Sequence, residues 1–290
     1  MNASFLLTAI IQGLAYGGLG YGIFLSLRVF RIPDITTDGS FMFGGVVTAT
    51  SISNSLHPLL AMLLSLFAGL LAGSASGLLH TRLKINALLA GILVMTALYS
   101  INLIMLGRPN LPLMDIRNFF ELIPFGSALS KTIISITLFT LLILSVLHYL
   151  LRTDFGIALR ATGNNEDMAA AMGISTRRMK ITGLALANGL TALSGSLITQ
   201  YQGFADINMG IGIVVSGLGA VMIGETVFGR LIHRKMIWHL LAILAGGVIF
   251  RLAIAVTLAA GADPVYLRLF TSLMVLAILS LGHFRKNLPA

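Results

Sequence analysis

What most constrains this chain is a succession of apolar segments, each about 18 residues or longer, separated by short polar breaks. A segment of that length crosses the roughly 30 Å hydrocarbon core of a bilayer. No water is there to satisfy backbone N–H and C=O groups, so each crossing has to be a helix or part of a closed barrel. Barrel strands alternate apolar and polar residues. These segments are continuous, and hydrophobic residues make up 57% of the chain against 10% charged. The expectation is an all-α polytopic membrane bundle, one transmembrane domain over 1–290, with about nine transmembrane helices (8–10). They fall near 4–27, 38–54, 58–79, 86–106, 131–151, 181–201, 210–228, 236–258 and 266–283. The second, DGSFMFGGVVTATSISN, is short and rich in Gly and hydroxyls, and reads as a broken or half-crossing helix beside a cavity.

Other compositional features fit the same class. The 31 glycines, costly in soluble helices, let membrane helices approach closely. The start, MNASFLLTAIIQGLAYGG, has neither a basic n-region nor a small-residue cleavage site, and reads as a retained first helix. Without Cys there is no disulfide or thiolate chemistry, and the six His show no metal-binding spacing, so no metal site is expected. The net charge of +9 would suggest nucleic acid in a soluble protein; here it points to cytoplasmic loops beside anionic membrane lipid, with no nucleic acid partner.

Charge also gives a sidedness. With the N-terminus outside, nine crossings put Arg28, Arg31, Arg82, Lys84, Arg152, Arg160, Arg177, Arg178, Lys180, Arg230, Arg234, Lys235, Arg285 and Lys286 inside. Arg108, Arg117, Lys131 and Arg268 fall outside, and Arg251 lies within a helix. That is a strong positive-inside bias, and dropping the second helix would scatter it. It predicts an N-out, C-in chain. The outer stretch GRPNLPLMDIRNFFELIPFGSALSK reads as a loop with a short amphipathic piece, FFELI.

The longest polar interruption, 152–180, reads RTDFGIALRATGNNEDMAAAMGISTRRMK and falls on the cytoplasmic side. Within it, Gly163 and Gly173 bracket a short helix near 164–172. Asn164 or Asn165 caps its start, Glu166 and Asp167 suit the first turn, and Met168 to Met172 form a small apolar body. Gly173 suits the left-handed position past its end. Two readings stand: a knob that fits a partner's groove, and a connecting loop packed back on the bundle.

The pattern G-I-A-L-R-A-T-G-N-N-x-x-x-A-A-x-M-G-I, followed by LALANGLTALSGSL, resembles the cytoplasmic coupling segment of the branched-chain amino acid type ABC importer permeases. RIPDITTDGSFMFGGVV, KINALLAGILVMTALYSINLIMLGRPNLPL and ADINMGIGIVVSGLGAVMIGE are similar to one branch of that superfamily, which includes tryptophan/tyrosine-type permeases. The resemblance spans about 28–230. It implies a type II ABC importer permease-like fold in the bacterial inner membrane. It also implies a homodimer of two permease copies, two ABC ATPase subunits and an extracytoplasmic solute-binding protein. It assigns ATPase coupling to Arg160, Gly163, Asn164, Asn165, Met168, Ala169, Ala170 and Gly173. Branched-chain permeases usually carry a different signature where this chain has Asp38-Gly39-Ser40, which counts against branched-chain solutes and favours the other branch; the solute implied is an amino acid, with aromatic ones among the candidates.

A second polar cluster, Asp34, Thr36, Thr37, Asp38 and Ser40, is expected at the inner membrane boundary. Asp38 fits an N-cap for the second helix. The competing reading makes Asp38, Ser40, Phe41 and Phe43 part of a translocation path, since ionisable groups at membrane depth often mark one. Arg251 has to find a partner or water: a solute carboxylate on one reading, an acid on a neighbouring helix on the other. Glu225 is expected to pair with Arg230 or another inner-face base, and Asp206 and Asn208 to cap a short outer loop or touch a binding protein.

The chain has no GxxxxGK[ST] phosphate loop and no catalytic cluster, so it is expected to be no enzyme and to bind no cofactor itself. ATP and Mg would be used by the partner ATPase. The function expected is the membrane subunit of an ATP-driven importer of a small organic solute. The alternative is a stand-alone secondary transporter, which would need more acids deep in the membrane than this chain carries.

Overall fold

The computed structural model describes residues 3–114, 116, 118–123, 126–232 and 235–286. Arg117 and Arg234, two of the charges used for sidedness, lie outside the described residues. The chain is a helical bundle. α1 (Ala3–Ala15) and α2 (Gly17–Phe24) form one rod that breaks at Tyr16 and ends in a π-helical turn, Leu25–Val29. An extended stretch at 31–35 leads into α3 (Thr36–Ser53), followed by α4 (Pro58–Arg82) and α5 (Ala87–Leu106). After α6 (Ala128–Arg152) come two short helices, α7 (Asp154–Asn164) and α8 (Glu166–Ala171), then α9 (Thr176–Gln202). α10 (Ile213–Ile232), α11 (Met236–Ala259) and α12 (Leu267–Lys286) close the chain.

Local chemistry sets the boundaries. Pro58 opens α4 behind the ring of His57; Asn86 Oδ1 accepts from Leu88 N at 2.9 Å to open α5; Ser127 opens α6. Gly107 and Gly203 end α5 and α9 in the left-handed region, at φ 67° and 75°.

Each of the nine expected segments is helical, but the structure does not confirm nine crossings. Six helices are long and apolar enough to span: Phe5–Val29, Pro58–Arg82, Ala87–Leu106, Ala128–Arg152, Thr176–Gln202 and Met236–Ala259. α3 is not among them, because hydroxyls and glycines dilute its apolar content. Ile213–Gly229 and Leu267–Ile278 are shorter apolar stretches. The polar loop also differs from expectation, holding two helices rather than one. FFEL of the outer stretch forms a 3-10 turn, Phe119–Leu122. A two-stranded antiparallel pair, β1 (Asn110–Pro112) with β2 (Phe204–Asp206), ties two loops together, so both lie on one side of the bundle.

The centre of the bundle is α9, buried along most of its length between α3, α4 and α2. Close approach is what the small residues supply. A Cβ on Gly195 would strike the Phe41 carbonyl, and one on Gly44 would strike the Ala192 backbone, so α3 and α9 touch backbone to backbone. Large apolar side chains on α5 and α6, such as Ile104 and Leu142, stay exposed, as lipid-facing or partner-facing residues do.

Candidate coupling face and intramembrane polar seam

The segment between α6 and α9 is held by its own backbone chemistry. Thr153 caps α7 by accepting from Gly156 N at 3.4 Å. Asn165, in extended conformation at φ −152°, ends α7 and opens α8, its Oδ1 accepting from Met168 N at 3.0 Å. Of the two asparagines it is thus Asn165 that caps; Asn164 is the last residue of α7. Glu166 and Asp167 stand in the first turn of α8, where the helix dipole favours them. At the other end Gly173 N donates to Ala170 O and Ile174 N to Ala169 O, both at 3.0 Å, around a Gly173 φ of 83°. This is a Schellman closure. Lys180 donates to Glu166 and holds its carboxyl below the ordinary carboxylate range.

The sequence-expected coupling residues divide into two sets. Asn164, Asn165, Met168, Ala170 and Gly173 are exposed. Ala169 is buried, and Gly163 sits inside α7 rather than at a turn. A Cβ on Gly163 would strike the Val29 carbonyl and Phe30 Cα, so this glycine faces the chain's own π-turn. Arg160 folds back, its Nε donating to Gly156 O at 3.3 Å and its Nη2 to Leu151 O at 3.1 Å. The most exposed apolar residues of the segment are Met168 at 63% and Met172 at 73%. Met172 was not among the expected residues, although its i+4 spacing from Met168 on a helix was the signal for it.

The second polar cluster is buried within the bundle: Asp34, Thr36, Thr37 and Ser40 are all shielded from solvent. Asp34, on the extended stretch before α3, is buried against Asn188, midway along α9. Asn188 Nδ2 donates to Asp34 Oδ2 at 2.6 Å, Thr36 N to Asp34 Oδ1 at 2.9 Å, and Ser40 Oγ to Asn188 Oδ1 at 2.6 Å. Further along α3, Thr48 bonds Ser65 and Ser196 at 2.6 Å each, and Ser65 donates to the Gly44 carbonyl. The result is a polar seam joining α3, α4 and α9.

Asp38 does not cap its own helix. Its carboxylate accepts from Gly212 N and Val214 N, both at 2.9 Å, and so closes the open amide end of α10. Two helix starts therefore meet inside the bundle, α3 after an extended entry and α10 after the loop following β2. Asp34, rather than the expected Asp38, supplies the local contact at the start of α3.

Phe41 is fully buried, its ring stacked on Tyr16 with centroids 5.6 Å apart and planes 9° from parallel. The Arg251 guanidinium lies 3.6 Å from the centroid of the Tyr16 ring. Phe41 and Arg251 thus belong to one stack through Tyr16, a residue the sequence did not single out. Among the described residues Arg251 has no ion pair, so no acid on a neighbouring helix takes its charge. Phe43 packs elsewhere, with Ala72, Val94 and Leu98. Glu225 takes Arg28 as its inner-face base and also meets His239 at 3.4 Å. Asp206 accepts from Asn208 N at 2.8 Å, which is the loop cap expected of it. Among the described residues no cluster of His, Asp or Glu is arranged to hold a metal.

The comparisons with known proteins converge. Residues 5–279 match the family described as branched-chain amino acid transport system / permease component. The chain is 34% identical, over 98% of its length and 93% of the relative, to a tyrosine transport system permease protein of Clostridioides difficile (strain R20291). It is 32% identical, over 95% of its length and 96% of the relative, to an uncharacterised protein of Rickettsia prowazekii (strain Madrid E). A ribose import permease protein of Haemophilus influenzae is more distant, 26% identical over 67% of this chain and 60% of that one. The fold matches the solved structure of a protein of the metal-chelate ABC transporter type in an inward-facing conformation. That match has a TM-score of 0.54 and 13% identity, over 97% of this chain and 85% of the other.

Proposed function

The chain belongs to the permease component family of the branched-chain amino acid transport system, as a membrane subunit of an ABC transporter. From that premise we propose that it imports a small organic solute, an amino acid with an aromatic side chain, across the bacterial inner membrane. Solute identity draws on its likeness to the tyrosine transport system permease protein. The observation that carries the mechanism is α8, a helix capped at both ends that holds Met168 and Met172 out in solvent. Two methionines on a preformed helix give an adaptable apolar surface for a groove on a separate ABC ATPase, which would use the ATP and Mg. Exposed Asn164, Asn165 and Ala170 belong to the same surface. Gly163 and Ala169 act from behind it, by packing α7 and α8 on the bundle.

Two permease copies would enclose the path, and a solute-binding protein would deliver from outside, where the β1–β2 pair lies in an N-out, C-in arrangement of nine crossings. A push on α7 reaches the π-turn through the Gly163–Val29 contact. From there it enters the stretch carrying Asp34 and Asp38, which joins α3 to α9 and α10. That route links ATP-driven movement to the two helix starts inside the membrane. Arg251, held on Tyr16 without an acid partner among the described residues, is suited to meet a solute carboxylate there.

The test is reconstitution of the chain with an ABC ATPase from the same organism. Wild type is expected to co-purify with the ATPase and support ATP-dependent tyrosine uptake into vesicles. A Met168→Asp/Met172→Asp variant is expected to lose both. An intact complex and uptake in that variant, or no ATPase bound to wild type, would sink the reading.

A further inference from the structure

A cleft of about 510 Å³ opens at the inner end of the bundle, between the π-turn, α7 and the start of α11. Its polar lining is Arg28, Arg31, Arg160, His239 and Asn164, the last at the edge of the proposed ATPase-facing surface, and its apolar lining includes Phe24 and Ile157. Glu225 offsets Arg28 and meets His239, but among the described residues neither Arg31 nor Arg160 is in an ion pair. Of the three arginines in the lining only Arg28 has a carboxylate partner, which leaves a surplus of positive charge that calls for an anion.

Two of the arginines are also held in place, Arg28 by Glu225 and Arg160 by main-chain carbonyls. Arg160 is pinned by the carbonyls of Gly156 and Leu151. Arg28 rides on the π-turn, a rare element that recurs at functional sites. Arg31 directly follows the cap of that turn, at a left-handed backbone position with φ 57° and an exposed side chain.

We propose that this cleft binds the phosphodiester headgroup of an anionic phospholipid from the inner leaflet. Its place favours a lipid over a free anion or an acidic peptide. It lies at the inner ends of two helices apolar enough to cross the membrane, Phe5–Val29 and Met236–Ala259, with an aromatic and aliphatic floor beneath the guanidiniums. Basic pockets between membrane helices on the cytoplasmic side take such headgroups. The headgroup would tie α7 to the π-turn, across the same junction that Gly163 packs. The inference rests on the proposed sidedness but not on transport, and binding is read without the ATPase.

Full-length chain, purified in a neutral detergent, is titrated with phosphatidylglycerol, phosphatidylcholine or inorganic phosphate, and followed by native mass spectrometry and thermal shift. Phosphatidylglycerol is expected to bind and stabilise, with neither of the others matching it. Arg31→Gln should raise the half-saturating concentration about fivefold, and Arg31→Gln with Arg160→Gln about thirtyfold. Lys84→Gln, which removes an exposed cation outside the cleft, should leave it unchanged. Equal stabilisation by phosphatidylcholine, saturation by phosphate alone, or wild-type affinity in Arg31→Gln would each overturn the proposal. So would loss of ATPase binding in Arg31→Gln with lipid binding intact, which would give the cleft to the ATPase.

Discussion

The coupling segment and the intramembrane seam share residue types, Asn, Asp and Thr beside glycine, but bond over very different distances. In α8 Asn165 bonds the amide three residues ahead, and Gly173 closes on carbonyls of the same short helix. In the seam Asn188 meets Ser40 and Asp34 from 148 and 154 positions away, and Asp38 reaches amides 174 and 176 positions on. The first set of bonds forms within one segment. The second exists only when α3, α9 and α10 have assembled. A locally closed knob can move as a unit against a partner, while a cross-chain seam fixes which helices are neighbours.

The sharpest way to break this comparison is at Asp34. Asp34→Leu takes away the acceptor of the Thr36 amide and of one Asn188 Nδ2 hydrogen in a buried site, while the other Nδ2 hydrogen keeps the Leu184 carbonyl. Each such loss is worth about 1–3 kcal/mol in soluble proteins and less where the unfolded state stays in the membrane. A cost of about 2 kcal/mol is expected, seen as a lower melting temperature in detergent. Asn188→Leu should cost a similar amount, and the double variant less than the sum of the two, because the pair shares its bonds. Full additivity would mean that the two residues do not act as one seam.

The same contrast explains what was legible in the sequence. Helix positions followed from apolar length, and the ends of α8 from Gly173 and the pair Asn164 or Asn165, of which the structure selects Asn165, because both signals are local. The Asp34–Asn188 bond was hidden for lack of any local mark: Asn188 stands in LALANGL, where small apolar residues surround it. Asp38 looked like an N-cap because it precedes an apolar run, yet it closes α10, whose preceding residues GIG offer no side-chain acceptor. The crossing count stayed open for a related reason. α3 is embedded against α9 through glycines and hydroxyls, so burial in protein replaces the apolar length by which a lipid-facing helix is recognised.

A smaller effect is expected where the bonds are local. Asn165→Ala removes the cap of α8, worth about 1 kcal/mol. The loss should stay within the segment: amide exchange across 166–171 should quicken about fivefold while the melting temperature of the bundle holds. A drop in global stability equal to that of Asp34→Leu would erase the distinction between knob and seam.

The smallest expected effect is a pH dependence confined to α8. Lys180 donates to Glu166 and keeps its carboxyl below the ordinary carboxylate range in the folded chain. A carboxyl whose folded value is depressed stabilises the fold above its unfolded value, and that contribution fades as pH falls through the lowered one. Glu166 is largely exposed, so solvent and salt screen the pair and its contribution is slight. Amide protection in 166–171 should therefore be flat near neutral pH and decline on acidification into the carboxylate range, more weakly at high salt. Glu166→Gln should flatten that decline while Asp167→Asn leaves it in place, since Asp167 has no ion pair among the described residues. An unchanged acid profile in Glu166→Gln would show that Lys180 does not steady α8, leaving Asn165 and Gly173 as its anchors.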